Sequence, residues 1–152
     1  MKVLVFHIGA DRYALRLREI ARVLPAAALK QLPLAPDYVA GLLDLHGAPV
    51  PVIDLSRLAG LAPETLWFDS RIILVDYPGG DGVAHQLGLL AEHVLGVESV
   101  DDTLLADSGV AGAAFLGPVA SSTGGLLQLV ELHELLMPDV RALLFQNAEA
   151  TP

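Results

Sequence analysis

The chain has no cysteine, few cations and no long apolar run, and each shortage closes off a class of function. Without cysteine there is no disulfide, no thiolate nucleophile and no cysteine zinc site, a pattern that fits the cytoplasm. Nine Lys/Arg face eighteen Asp/Glu, a net charge of −9. That balance argues against nucleic acid, whose counterions must be displaced by cations, and against docking on anionic lipid. No apolar stretch reaches the roughly 18 residues of a membrane-spanning helix without a charge or turn signal, so no direct membrane insertion is expected. The opening MKVLVFHIGADRY is too short in its apolar part, and lacks the small-residue cleavage site, for a signal peptide.

Catalytic motifs are missing as well. The sequence holds no G-x-S-x-G, no P-loop and no G-x-G-x-x-G. His133-Glu134 starts like a zincin motif, but Met137 stands where the second histidine belongs. The other histidines, His7, His46, His85 and His93, are scattered, and only His85 and His93 are spaced to meet across a hairpin. Gly79-Gly80-Asp81-Gly82 joins strand to strand and so lacks a phosphate-cradling helix. No catalytic residue, metal site or cofactor is expected.

What is present is core-forming. The chain is 53% hydrophobic with a mean hydropathy of +0.54 over 152 residues, enough for one domain or two small packed subdomains. The charge is uneven. Residues 1–60 carry seven Lys/Arg and five Asp/Glu, and residues 61–152 carry two and thirteen. Such a dipole steers oriented association with a partner, or simply keeps the surface solvated.

Alternation of apolar and polar residues predicts strands over Lys2–Ile8 and Tyr13–Leu17, joined by the turn Gly9–Arg12. Ile20, Val23 and Leu24 then fall at helical spacing, one short turn that Pro25 ends. Ala26–Leu32 is ambiguous, with a short strand leading to Pro33 as one reading. Asp54 or Ser56 caps a brief helix through Leu58. Residues 60–69, with the only tryptophan, Trp67, form a loop. Arg71–Tyr77 is nearly continuous in apolar residues and should be buried on both faces. Gln86–Ala91, His93–Val100, Ala113–Ala120 and Gly125–Val130 complete the strands. Asp107–Gly112 reads as a mobile connection and Ser121–Gly124 as a turn. Glu131–Met137 reads as helical, and Asp139 as the cap of a last helix. This gives nine or ten short strands in a barrel or sandwich, with helices mainly at the end.

The most informative stretch is Pro33 to Leu55, PLAPDYVAGLLDLHGAPVPVIDL. His46-Gly47 between two β-like runs signals a tight hairpin, with Gly47 supplying the positive φ of a two-residue turn. Pro49 and Pro51 lack N–H groups on the same strand edge, so the second run should be an edge strand, a bulged one, or one that pairs only in part. Such edges are docking surfaces in some proteins and plain barrel hairpins in others.

Gly41-Leu42-Leu43-Asp44-Leu45-His46-Gly47 followed by Pro51-Val52-Ile53-Asp54-Leu55 resembles the signature of CheW-like domains, G-hydrophobic-x-N-L-R-G and then V-P-V-I-D-L. The likeness extends over about residues 2–138. Leu4–Gly9 with Tyr13-Ala14-Leu15 resembles the family's F-x-L-G-x-x-x-Y-A-L opening, and Ile20–Leu24 its V-x-E-V helix and turn. Gln86–Val97 and Leu126–Leu136 resemble two later family segments. The order and spacing of these motifs are more specific than any one of them.

The resemblance implies a mainly β fold of two intertwined five-stranded SH3-like β-barrels, with short helices including one at the C-terminus and a groove between the barrels. It implies one domain over residues 1–145, with 146–152 a flexible tail and no upstream kinase domains. The implied role is a non-enzymatic adaptor in a two-component chemosensory pathway. Its partners would be chemoreceptor cytoplasmic tips and the regulatory domain of a CheA-like histidine kinase. Its place would be the cytoplasm, at membrane-associated receptor arrays. Alternatives are a ring or spacer element that no longer binds receptor, and a small β-barrel enzyme or ligand-binding protein.

Matched position by position, the implied partner-binding residues are Ile20, Arg22 and Val23, then Gly41, Asp44, His46 and Gly47, with the hairpin turn at the mouth of the groove. Ile20 and Val23 also suit core packing, and the two glycines suit backbone conformation alone. The chain departs from the pattern at Asp44 and His46, where the family usually has Asn and Arg. Histidine offers at most two donors against the permanent charge and five donors of arginine, so the family's Arg contact does not carry over. A specialised partner set, in an array controlling surface attachment or second-messenger output, is one consequence.

Overall fold

Two strands in this fold are apolar on both faces, and they hold it together. The computed structural model describes residues 1–61, 70–78, 82–110, 112–122 and 124–145. The readings of the Trp67 loop, of Gly79, Gly80, Asp81, Ala111 and Thr123, and of the tail 146–152 lie outside the described residues.

Nine strands are formed there: β1 (Lys2–Ile8), β2 (Asp11–Arg16), β3 (Ile20–Pro25), β4 (Val39–Leu45), β5 (Ala48–Asp54), β6 (Arg71–Pro78), β7 (Ala84–Ser99), β8 (Leu116–Ser122) and β9 (Gly125–Val130). Two short helices, α1 (Leu55–Leu58) and α2 (Pro138–Leu144), and three single 3₁₀ turns accompany them. The strands make two five-stranded, SH3-like barrels. The first runs β7-β1-β2-β9-β8 and the second β3-β6-β7-β5-β4. The chain starts in the first barrel, builds the second, and returns to finish the first.

Strand β7 belongs to both barrels, which is how they are intertwined. Its first half pairs with β6 and β5, and its second half with β1. Between the halves the register shifts: Val5 faces Gly96, but His7 faces Glu92. His93 takes φ 47° and Gly96 φ 127° in this bulge. A bulge bends and twists a strand, which redirects β7 from one barrel to the other. Gln86–Ala91 and His93–Val100, expected as two strands, belong to one strand of 16 residues that ends at Ser99.

Burial follows from this plan. On β1, Val3 and Val5 point into the first barrel, with Ala14, Ala120, Leu127 and Leu129. Leu4, Phe6 and Ile8 point the other way, into the layer between the barrels. On β6, Ile72 and Leu74 fill the second barrel with Val50 and Val52, while Ile73, Val75 and Tyr77 face the same middle layer. The two-faced burial expected for Arg71–Tyr77 holds over Ile72–Val75 and at Tyr77, while Arg71 is half-buried and Asp76 exposed. The space between the barrels is therefore packed core. It is closed by the chain's own Leu132, Leu135, Leu136, Val140 and Phe145. The buried Tyr77 hydroxyl donates to the His133 carbonyl at 3.2 Å and accepts from the Leu136 N–H at 3.0 Å, tying this segment down.

Four local expectations change. Glu131–Met137 is not a helix and carries only the 3₁₀ turn Leu132–Glu134. Ile20, Val23 and Leu24 are not a helical face. The 3₁₀ turn is Leu17–Glu19, and Ile20 already lies in β3. A register shift between Ile20 and Arg22 reverses the strand's phase, so Ile20 packs on the middle layer and Leu24 on the second barrel. That bulge imitates helical spacing in sequence. Ala26–Leu32 contributes only the bridge Lys30–Leu42. The last helix takes Pro138 as its first residue, with Met137 as N-cap, where the fixed proline φ suits a first turn.

Candidate partner-binding site

Strands β4 and β5 form the hairpin anticipated from His46-Gly47. Their register runs from Leu45–Ala48 to Val39–Ile53, with one shift near Gly41. Both turn residues are left-handed, His46 at φ 51° and Gly47 at φ 89°. Two positive φ values at the centre of a two-residue loop are the type I′ requirement. Histidine is among the few non-glycine residues that tolerate this region. Asp44 supports the turn from within, because its Oδ1 accepts the Gly47 N–H at 2.8 Å. An acceptor oxygen suffices for that role, and aspartate and asparagine side chains both carry one. Asp44, His46 and Gly47 are all exposed.

The prolines act as their chemistry demands. Leu42 exchanges both backbone hydrogen bonds with Lys30, at 2.8 and 2.9 Å. Leu42 and its cross-strand partner Pro51 are therefore a non-hydrogen-bonded pair, and the Pro51 nitrogen points away from β4. On that far edge β5 pairs with β7 only over Val52–Asp54, past both prolines. The half of β5 next to the turn is left as an open edge.

Gly41 is buried, at φ 143°. A Cβ there would collide with the Lys30 carbonyl oxygen and lie 3.0 Å from Leu29 Cβ. Its role is to let residues 29–30 lie against β4. That contact brings Lys30 to the edge of a cavity of about 330 Å³, lined by Lys30, Leu42, Leu43, Asp44, Gly47 and Pro49. Its lining combines the apolar Leu42, Leu43 and Pro49 with one cation and one carboxylate. All of its lining comes from the second barrel, not from a mouth between the two barrels. Lys30 was missed in the sequence because it sits in an irregular segment with no motif of its own.

The other three candidates lie on β3, at the opposite end of the strand order from β4. Ile20 is half-buried against the middle layer. Arg22 is exposed, and Val23 is 40% exposed. Gly41 is thus buried and Ile20 half-buried, while Arg22, Val23, Asp44, His46 and Gly47 present themselves to solvent.

The scattered histidines do not converge. His85 stacks on Phe145 with ring centroids 4.5 Å apart, and His93 meets His7 edge-on at 5.5 Å. His85 and His93 lie on one strand, not across a hairpin. No cluster of three or more His, Asp or Glu arranged for a metal ion occurs among the described residues. No helix among them is long and apolar enough to cross a membrane. Asp54, largely buried, caps α1 by accepting the Ser56 and Arg57 N–H groups at 3.0 and 3.3 Å. Burial raises its carboxyl above the usual range, and those two hydrogen bonds pull it partly back.

The family model for the CheW-like domain matches residues 2–139. The chemotaxis protein CheW of Bacillus subtilis is 22% identical over 138 residues, covering 89% of this chain and 86% of that protein. The chemotaxis protein CheW of Klebsiella aerogenes is 25% identical over 155 residues, covering 97% and 88%. The crystal structure of the scaffolding protein TtCheW from Thermoanaerobacter tengcongensis superposes with a TM-score of 0.81 at 25% identity, covering 91% of this chain and 89% of that one.

Proposed function

The chain belongs to the CheW-like domain family, and on that premise we propose that it is a non-enzymatic adaptor coupling chemoreceptor cytoplasmic tips to the regulatory domain of a CheA-like histidine kinase. It works in the cytoplasm at receptor arrays, as one domain over residues 1–145 made of the two barrels. Nothing is turned over. The protein's work is to offer two binding surfaces in a fixed relation, which sets a coupling free energy between receptor and kinase.

The observation that supports this reading is the exposed, internally braced His46-Gly47 turn beside the cavity lined by Lys30 and Asp44. Asp44 holds the turn by an intramolecular bond, so the fold does not need a partner to order it. A pre-formed surface of this kind loses little entropy on binding. Arg22 and Val23 extend the receptor-facing set along β3. Gly41 and Ile20 position it without contact.

The test is quantitative binding of the full chain to a receptor-tip fragment and to a kinase regulatory domain. The wild type binds both. Lys30→Glu and Gly47→Trp weaken receptor binding and leave kinase binding unchanged. His46→Arg shifts preference among receptors without unfolding the domain. Binding to kinase alone identifies a ring or spacer element, and binding to neither ends the adaptor reading.

A further inference from the structure

A second cavity lies away from the hairpin, at one mouth of the first barrel. It measures about 610 Å³ and is lined by Met1, Lys2, Arg16, Leu17, Arg18, Asp102 and Leu105. That volume lies within the roughly 300–1,000 Å³ of small-molecule sites, and barrel mouths are common places for them. Met1 and Leu105 pack on the first barrel's core, so the cavity's apolar wall continues the barrel interior.

Its charge runs against the rest of the molecule. Three of the chain's nine cations line it, against one of its eighteen carboxylates. That carboxylate, Asp102, is already engaged by the Met1 amine at 3.1 Å. Arg16 is fixed in place by a two-point contact with Glu131, at 3.1 and 3.2 Å. Lys2 and Arg18 are exposed and make no hydrogen bond or ion pair with another described side chain. A ligand here meets an apolar wall and two uncommitted cations.

We infer that this barrel mouth is a binding site for a small organic anion with an apolar body. The apolar part rests on Leu17, Leu105 and the Met1 side chain, and the anionic group meets Lys2 and Arg18. The site is separate from the hairpin, so it does not depend on the adaptor reading.

The test uses the full chain and 8-anilinonaphthalene-1-sulfonate, followed by fluorescence and by amide shifts in NMR. Saturable one-to-one binding is expected, with shifts centred on Leu17 and Leu105. N-phenyl-1-naphthylamine, which keeps the aromatic body but lacks the sulfonate, should bind at least about tenfold more weakly. Lys2→Glu and Arg18→Glu should each weaken the sulfonate about three- to tenfold, the scale of reversing one exposed charge contact. Rising salt should weaken it further. Unchanged denaturation midpoints in both variants would tie the loss to the site. Absence of saturable binding, equal affinity for the uncharged probe, or shifts centred elsewhere would each overturn the assignment.

Discussion

Arg12 Nη2 lies 2.6 Å from Glu98 Oε2, joining β2 to the far half of β7. The same guanidinium donates through Nη1 to the Ser122 hydroxyl at 2.7 Å, so one side chain ties three strands of the first barrel. The pair sits on the face that holds Val5, Ala14 and Leu127, beside that barrel's core. Arg12→Ala leaves Glu98 partly buried without its partner. The expected loss is about 1–3 kcal/mol in chemical denaturation. A double-mutant cycle with Glu98→Gln should show positive coupling, and strict additivity would mean the pair is not a stabilising unit.

Gly41 and Gly47 are both left-handed, yet only one is crowded. A Cβ at Gly47 meets nothing within 4 Å, while at Gly41 it meets the Lys30 carbonyl. Gly47→Ala should cost about 1 kcal/mol from backbone strain alone. Gly41→Ala should cost about 1–3 kcal/mol more, because residues 29–30 must move. Denaturation midpoints separate the two, and equal losses would refute the crowding argument.

Asp44 braces the turn with one acceptor oxygen. Asp44→Asn keeps an acceptor and should leave stability nearly unchanged. Asp44→Ala should lose about 1 kcal/mol and speed hydrogen exchange at the Gly47 amide. Equal exchange rates in both variants would exclude the brace.

Asp54 gives a pH-dependent prediction. Its carboxyl is raised in the folded state, chiefly by desolvation. The fold thus holds the proton more tightly than the unfolded chain. That contribution is complete below the ordinary carboxylate pKa and is lost as pH rises through the raised folded value. Asparagine in its place caps α1 equally well without titrating. The melting temperature of Asp54→Asn relative to wild type should therefore climb from about pH 4 towards neutrality and then level off. A difference that falls over this range would reverse the sign of the effect. Asp54→Ala should lose about 1 kcal/mol of capping below the ordinary carboxylate pKa, and that loss should shrink as pH rises through the raised folded value.

Much of the candidate site was legible because turn chemistry is local. A positive φ at Gly47, the missing proline N–H groups and the Asp54 cap each depend on a few adjacent residues, and each stands as expected. The β3 segment was misread because a bulge changes the phase of a strand, and spacing alone cannot tell that from a helical turn. Lys30 was overlooked because its place depends on a partner strand twelve residues away and on the absence of a Cβ at Gly41.

By itself the sequence determined the mainly β character, the hairpin, the doubly buried β6 and the resemblance to one family, all written in periods and turns a few residues long. Only the tertiary structure decided that β7 is one bent strand shared by two barrels, that the space between them is core closed by the C-terminal segment, and that cations gather at one barrel mouth. Those features join residues tens of positions apart. They are fixed by which faces can be buried together, and no local period encodes that.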